Sequence, residues 1–225
     1  MISFGSEPFG NGLRVTRVSS TDRVVRIPED IGGVPVVSIG PAFMSGCPSA
    51  QGRTLSIPGT VADMDSEALD GVSGIAVIEF GGDMATFSGF GIIAPSECTL
   101  RCMESDGPFE FRFPAGMPMA FPGFDEASLS SMFSMTMETA MARLSHPVML
   151  TDAARDRYRR AVRDRVMPRA EQAVSSGDKA SLDELSSAGM LDVPDLMTLL
   201  ERSARSGRIP MTSAIMSMIR RKSGI

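Results

Sequence analysis

The side chains that most often carry out catalysis are scarce in this sequence of 225 residues. It holds one histidine, three cysteines, one tyrosine and no tryptophan. The single histidine, His146, precedes Pro147, and no motif places a second catalytic group beside it. Because nucleophilic triads and histidine-based metal sites need such partners, the sequence favours a structural or solvated role for His146.

The cysteines do not form a recognisable metal or redox motif. Cys98 and Cys102 are four residues apart, and Cys47 lies far away in the sequence. In a β-strand that spacing separates the two thiols by about 13 Å, too far for a disulfide. A zinc site would need further ligands, and glycine loops for phosphates or dinucleotides are also missing. Packing in the core is the favoured role for these thiols, and we expect no metal and no cofactor.

Two charged segments have some features of binding sites. Residues 63–67 carry the spaced carboxylates of a calcium loop, but they lack its central glycine and its distal glutamate. Residues 155–165 are dense in arginine, with aspartates spaced to form ion pairs along a helix. A solvated turn and a solvated helix face are the favoured interpretations, and an RNA-binding surface is the alternative for the second segment.

Composition excludes several classes of protein. Hydrophobic residues make up 43% and charged residues 22%, which favours a folded globular chain. The net charge of −5 argues against a dedicated nucleic-acid-binding protein. No sequence segment approaches the roughly 18 consecutive apolar residues of a membrane span, and the N-terminus lacks the features of a secretory signal. A cytoplasmic location is therefore expected, with the cell surface as the alternative.

A short repeat organises the first half of the chain. Residues 25–29, 55–59 and 78–82 share a strand-and-turn pattern, and the last two copies are offset by 23 residues. Alternation predicts apolar side chains that point inward: Val25, Ile27, Leu55, Ile57, Ile78 and Phe80. One such unit cannot bury its own apolar face, so neighbouring units must stack.

This repeat resembles the BspA-type leucine-rich repeat of bacterial proteins. The matching residues are Ile27-Pro28, residues 36–40, Ala42-Phe43, Gly46-Cys47 and residues 55–58. The third copy has Phe80-Gly81 where the repeat has Ile-Pro. The resemblance covers about residues 8–93. It implies a solenoid that takes part in protein–protein interaction, and secreted members of the family are associated with adhesion to host surfaces.

The sequence after the repeats predicts a closing strand pair and then helices. Residues 98–103 and 109–113 alternate around a turn at 104–108, which predicts two strands that close the stack. Farther on, apolar residues recur at helical spacing: Leu129, Met132, Phe133, Met137, Ala140, Met141 and Leu144. Thr151 is expected to cap the next helix and Pro168 to begin another. Four further stretches are expected to form two hairpins that weakly resemble ankyrin repeats: 170–176, 181–187, 195–205 and 211–221.

Methionine is unusually frequent, with 18 residues in the chain. Seven lie near the junction of the two regions: Met117, Met119, Met132, Met135, Met137, Met141 and Met149. Core packing is the favoured role, and an adaptable apolar patch that docks another chain is the alternative.

The fold class that these patterns predict is α+β. A β-solenoid with a closing strand pair is expected in residues 1–118, and an all-α module of helical hairpins in residues 119–225. Since repeat solenoids generally act by binding, we expect a non-catalytic protein–protein interaction module or scaffold. A surface adhesin exported by an unrecognised route is the alternative.

The expected partner is another protein, with no nucleic acid, no membrane and no small-molecule substrate. The candidate contact residues are those that alternation turns outward along the strands: Arg26, Ser56, Glu79, Arg101 and Arg112.

Overall fold

The computed structural model describes residues 2–48, 50–130 and 135–224. The chain divides into two units, residues 1–130 and residues 131–225. In the described residues, the first unit contains all the strands and two short helices, and the second contains helices. The predicted α+β class is therefore confirmed.

The strands of the first unit form two sheets. They are β1 (Ser3–Phe9), β2 (Gly12–Ser19), β3 (Val24–Arg26), β4 (Asp30–Ile31), β5 (Val34–Ile39), β6 (Arg53–Ile57), β7 (Asp63–Met64), β8 (Ile75–Phe80), β9 (Cys98–Glu104) and β10 (Gly107–Phe113). Sheet I has the order β1-β2-β5-β7, with β4 also paired to β5. Sheet II has the order β3-β6-β8-β9-β10. The two short helices are α1 (Met84–Gly89) and α2 (Gly123–Ser128).

The chain winds between the two sheets in a solenoid-like path. Strands β2, β5 and β7 run parallel in sheet I. Strands β3, β6, β8 and β9 run parallel in sheet II, and each belongs to a successive turn. The predicted stack of repeat units is thus confirmed as a β-solenoid of about four turns.

Strand register matches the repeat alignment read from the sequence. Val25 pairs with Leu55, and Leu55 pairs with Ile78. The row continues to Leu100 in β9. All four side chains are 0% exposed. Because full burial of such a side chain contributes about 1.5–3 kcal/mol, this row is a main source of stability for the solenoid.

Strands β9 and β10 form the predicted closing pair. They are antiparallel, and Glu104 lies opposite Gly107 at the turn between them. The inward rings of Phe111 and Phe113 pack against those of two later phenylalanines, Phe121 and Phe124, with centroids 5.2–5.8 Å apart. These contacts join residues 119–130 to the solenoid, and the predicted boundary at residue 118 lies inside the first unit.

The second unit is built from five described helices. They are α3 (Met137–Ser145), α4 (Asp152–Ser176), α5 (Lys179–Ser187), α6 (Val193–Arg205) and α7 (Ile209–Ser223). Helices α4 and α5 form one hairpin and helices α6 and α7 another. Each turns at a glycine in the left-handed region, Gly177 with φ 80° and Gly207 with φ 67°. The glycines are needed because other residues are strained at such angles.

The sequence predicted that Pro168 begins a new helix, and this prediction is wrong. Pro168 lies inside α4, which runs without interruption to Ser176. A proline removes one intrahelical hydrogen bond. Val166 and Ala170 on either side of it are 1% and 0% exposed, so the helix is held through this position by packing. The predicted cap at Thr151 is confirmed, because its Oγ1 accepts from the Ala154 N–H at 3.2 Å.

The helix predicted from Leu129 onward begins later than the apolar spacing suggests. α3 starts at Met137, where Thr136 Oγ1 caps it by accepting from the Thr139 N–H at 3.1 Å. Leu129 directly follows the end of α2. Met132 and Phe133, also part of that prediction, lie outside the described residues.

Candidate functional site

The outward side of sheet II carries four of the predicted contact residues in one row. In the strand register, Arg26 lies opposite Ser56, and Ser56 lies opposite Glu79. Glu79 in turn lies opposite Arg101 in β9. Neighbouring strands lie about 4.8 Å apart, so the four positions span about 14 Å. We call these four residues, with Glu110 in β10, the charged row.

Arg112 does not lie in this row, although alternation placed it there. β10 is antiparallel to β9, which sets Glu110 opposite Arg101 and Arg112 opposite Thr99. Arg112 is on the same face of the sheet but two residues farther along the strand. Alternation identifies the face of a strand, whereas register depends on the turn that joins it to its neighbour.

The charges of the row differ in whether they are already paired. Arg101 Nε lies 2.8 Å from Glu110 Oε2, and Arg112 forms an ion pair with Glu97. Arg26 and Glu79 have no ion-pair partner among the described residues. A ligand can therefore pair with Arg26 and Glu79 without displacing an existing ion pair.

An open depression of about 660 Å³ lies over the end of the charged row that begins at Arg26. Its lining includes Arg26, Ser56 and Glu79. A second depression of about 280 Å³ shares Glu79 and extends to Met103. Met103 is 59% exposed. The two depressions share Glu79 and Phe80, and together we call them the row groove, which is mixed in character over Arg26 and mainly apolar near Met103.

Two glycines bring successive turns into close contact at the floor of the groove. A Cβ on Gly59 would lie 2.6 Å from the Gly81 carbonyl oxygen. A Cβ on Gly81 would lie 2.5 Å from the Gly59 nitrogen. Both distances are below any real Cβ contact, so the main chains of the two turns can meet here only without side chains.

The cysteines have the properties of core residues. Cys98 and Cys102 are 1% and 5% exposed, on the inner face of β9. Burial raises the pKa of Cys98 to about 11 and that of Cys102 to about 12. For Cys102, the nearby carboxylates of Glu104 and Asp83 add to the effect of burial. A thiol acts as a nucleophile or metal ligand in its deprotonated form, so these shifts favour a packing role.

The carboxylates of residues 63–67 are used within the solenoid. Asp63 Oδ2 accepts from Ser38 Oγ at 2.6 Å and pairs with Arg14 at 3.3 Å. Asp65 Oδ1 accepts from the Glu67 N–H at 2.9 Å. In the described part of the chain, no group of three or more His, Cys, Asp and Glu side chains is placed to hold a metal ion.

His146 lies at the C-terminal end of α3. Its Nδ1 is 3.1 Å from the Ala142 carbonyl oxygen. Its neighbour Arg143, which no sequence pattern marked as buried, is 0% exposed. Arg143 donates to the carbonyls of His146 and Val148 at 2.6 and 2.7 Å. This arrangement fixes the loop after α3, in agreement with a structural role for the histidine.

The arginine-rich segment of α4, residues 155–165, contains six arginines. Three of them pair with aspartates: Arg155 with Asp152 (3.1 Å), Arg159 with Asp156 (3.7 Å) and Arg163 with Asp195 (3.4 Å). The first two pairs have the helical spacing that the sequence predicted. They reduce the positive charge available to nucleic acid and support the interpretation as a solvated helix face.

Most of the clustered methionines are buried. Met117, Met119, Met135, Met137 and Met141 are at most 8% exposed. Met149 is 44% exposed, and Met132 lies outside the described residues. The favoured packing role is thus supported for the buried five.

Arg53 is a buried charged residue outside the set of predicted site residues. It is 1% exposed, and its Nε and Nη2 have no hydrogen-bond partner among the described residues. Its position two residues before the inward Leu55 is the signal that could have identified it.

None of the helices in the described ranges has both the length and the apolar character needed to cross a membrane. No family model matches the sequence, and neither a curated protein nor a solved structure matches the chain.

Proposed function

We propose that this protein is a non-catalytic interaction module that binds another protein through the outward face of sheet II. The observation that supports this most directly is the row groove, where Arg26 and Glu79 have no ion-pair partner among the described residues. Two strand spacings, about 10 Å, separate these charges. A partner segment with an acidic and a basic group at that separation would complement both.

The form of the groove favours a macromolecular partner over a small molecule. Pockets for small ligands usually enclose most of the ligand surface, whereas the depression over Arg26 and Glu79 is open to solvent. Solenoids generally bind through extended, ordered surfaces of this kind. The resemblance of the repeats to the BspA type supports the same function.

Affinity capture with the full chain as bait tests this function. The variant Arg26→Glu/Glu79→Arg exchanges the two charges and keeps the net charge. The matched control, Glu201→Arg/Arg205→Glu, makes the same exchange at an exposed ion pair on α6.

We expect wild type and control to capture the same proteins from a lysate of the source cells. The Arg26→Glu/Glu79→Arg variant should capture them about tenfold less or worse, because attractive contacts become repulsive. Equal capture by this variant, with an unchanged circular dichroism spectrum, would show that the charged row is not the binding site.

A further inference from the structure

The first turn of the solenoid is covered in one sheet and open in the other. In sheet I, β1 pairs with β2 along its whole length. In sheet II, β3 pairs with β6, and no other described strand pairs with it. β3 is therefore an edge strand, and Arg26 of the charged row lies on it.

Register shows which main-chain groups of β3 face its neighbour. The Thr54 N–H donates to the Arg23 carbonyl at 2.8 Å. The Ile27 N–H donates to the Ser56 carbonyl at 2.9 Å. Peptide groups alternate in direction along a strand, so the N–H and C=O of Val25, midway between these bonds, also face β6.

The same alternation turns the N–H and C=O groups of Val24 and Arg26 away from β6. No described residue forms a hydrogen bond with them. They provide two donors and two acceptors, spaced as in a sheet, for an added strand.

The side chains around this edge select by charge. Arg23 and Arg26 are both exposed, and neither has an ion-pair partner among the described residues. Val24 between them is 40% exposed. Opposite charges on adjacent strands stabilise a sheet and like charges destabilise it, so Arg26 favours a carboxylate opposite it on an added strand.

The other edge at this end of the solenoid is protected differently. β1 contains Pro8, which has no N–H, and its register is interrupted between Gly5 and Ser6. Both features discourage pairing with any further strand. β3 has neither a proline nor a register shift. Its positive charge opposes pairing with a second copy of the same edge and leaves pairing with an acidic segment favourable.

We propose that the partner binds by strand addition, as an extended acidic segment that pairs with the open edge of β3. This inference rests on the proposed function, since it requires a protein partner. The main-chain groups of Val24 and Arg26 hold the segment, and a carboxylate on its outward face pairs with Arg26. The chain beyond the added strand then lies next to the row groove.

The test uses the uniformly ¹⁵N-labelled full chain and a capped octapeptide of alternating glutamate and valine. Amide hydrogen exchange of Val24 and Arg26 is followed by NMR, because both N–H groups point away from β6. Strand addition should slow their exchange about tenfold or more at saturating peptide. A peptide bound only to the face of sheet II would leave both amides unprotected, which would overturn the proposal.

Two control peptides separate hydrogen bonding from charge. A glutamate–valine octapeptide with every main-chain nitrogen methylated carries the same charge but has no N–H donors, and an octapeptide of alternating lysine and valine reverses the charge. We expect both to bind at least about tenfold more weakly than the glutamate–valine peptide. Equal binding of the N-methylated peptide, or failure of the glutamate–valine peptide to bind, would contradict strand addition.

One further variant distinguishes a failure of strand addition from a failure of the proposed function. Val24→Pro removes an outward N–H without removing a hydrogen bond to β6, and Val24→Thr is its control. If Val24→Pro captures the lysate partner normally while Arg26→Glu/Glu79→Arg does not, the face binds and the edge does not. A concentration-dependent dimer abolished by Val24→Pro would instead identify a second copy as the occupant and overturn the proposal.

Discussion

Replacing Gly81 by alanine measures how closely the turns of the solenoid stack beneath the row groove. A Cβ at residue 81 would lie 2.5 Å from the Gly59 nitrogen and 3.3 Å from the Pro58 carbonyl carbon. Both are main-chain atoms, so no side chain can rotate away. Ordinary contact begins at 3.4 Å, which means that one turn must move by about 0.9 Å.

Such a displacement has a substantial expected cost. Overpacking of a well-packed interior costs about 1–3 kcal/mol, and we expect the upper half of that range because the main chain itself must move. For a unit of this size, each kcal/mol lowers the midpoint of thermal unfolding by about 3–5 °C. Gly81→Ala should therefore lower the melting temperature of the first unit by about 6–15 °C.

Differential scanning calorimetry of the full chain measures this effect, and Gly89→Ala is the matched control. Gly89 is the last residue of α1, and a Cβ there meets no atom within 4 Å. That variant should melt at or slightly above the wild-type temperature, since alanine favours a helix. A Gly81→Ala protein that melts within about 2 °C of wild type would show that the turns can separate freely, and the reasoning about this corner would be wrong.

Two further predictions concern buried polar groups. Because Nε and Nη2 of the buried Arg53 lack hydrogen-bond partners among the described residues, Arg53→Met should raise the free energy of unfolding in urea by about 1–3 kcal/mol, and a loss of stability would contradict this. Burial raises the pKa of Cys98 to about 11 and of Cys102 to about 12, from an ordinary 9.0. The folded thiols keep protons that the unfolded ones lose, so the free energy of unfolding should fall as the pH rises from 9 towards 12. Cys98→Ala should make that fall less steep, and an unchanged slope would exclude Cys98 as a cause.

The solenoid could be predicted from sequence because each repeat shows the alternation of apolar and polar side chains that is typical of a strand. Val25, Leu55 and Ile78 occupy the same position in three copies, and each is fully buried. The third copy, which has Phe80-Gly81 in place of Ile-Pro, still keeps the register of the second. Inward apolar residues are enough to fix the face of each strand, even where the corner residues differ.

Features that depend on packing between distant parts of the chain could not be predicted from side-chain alternation. Arg112 and Glu110 lie on the same face of β10, and the hairpin register decides that Glu110 faces Arg101. Pro168 obeys a local rule for helix starts, but buried neighbours carry α4 through it. Arg143 resembles any helix arginine in the sequence, and its burial follows from the path of the loop whose carbonyls it binds.

The two ends of sheet II indicate why an interaction site would lie at its first turn. The last turn is closed by β10, and phenylalanines from residues 119–130 pack on the inner face of that strand. The first turn is left open at β3 although β1 covers β2 directly. An open edge is an aggregation hazard unless it is short or charged, and β3 is three residues long with an exposed arginine at its end. Both properties discourage pairing with identical chains and leave the main-chain groups of β3 accessible, as the proposed addition of an acidic segment requires.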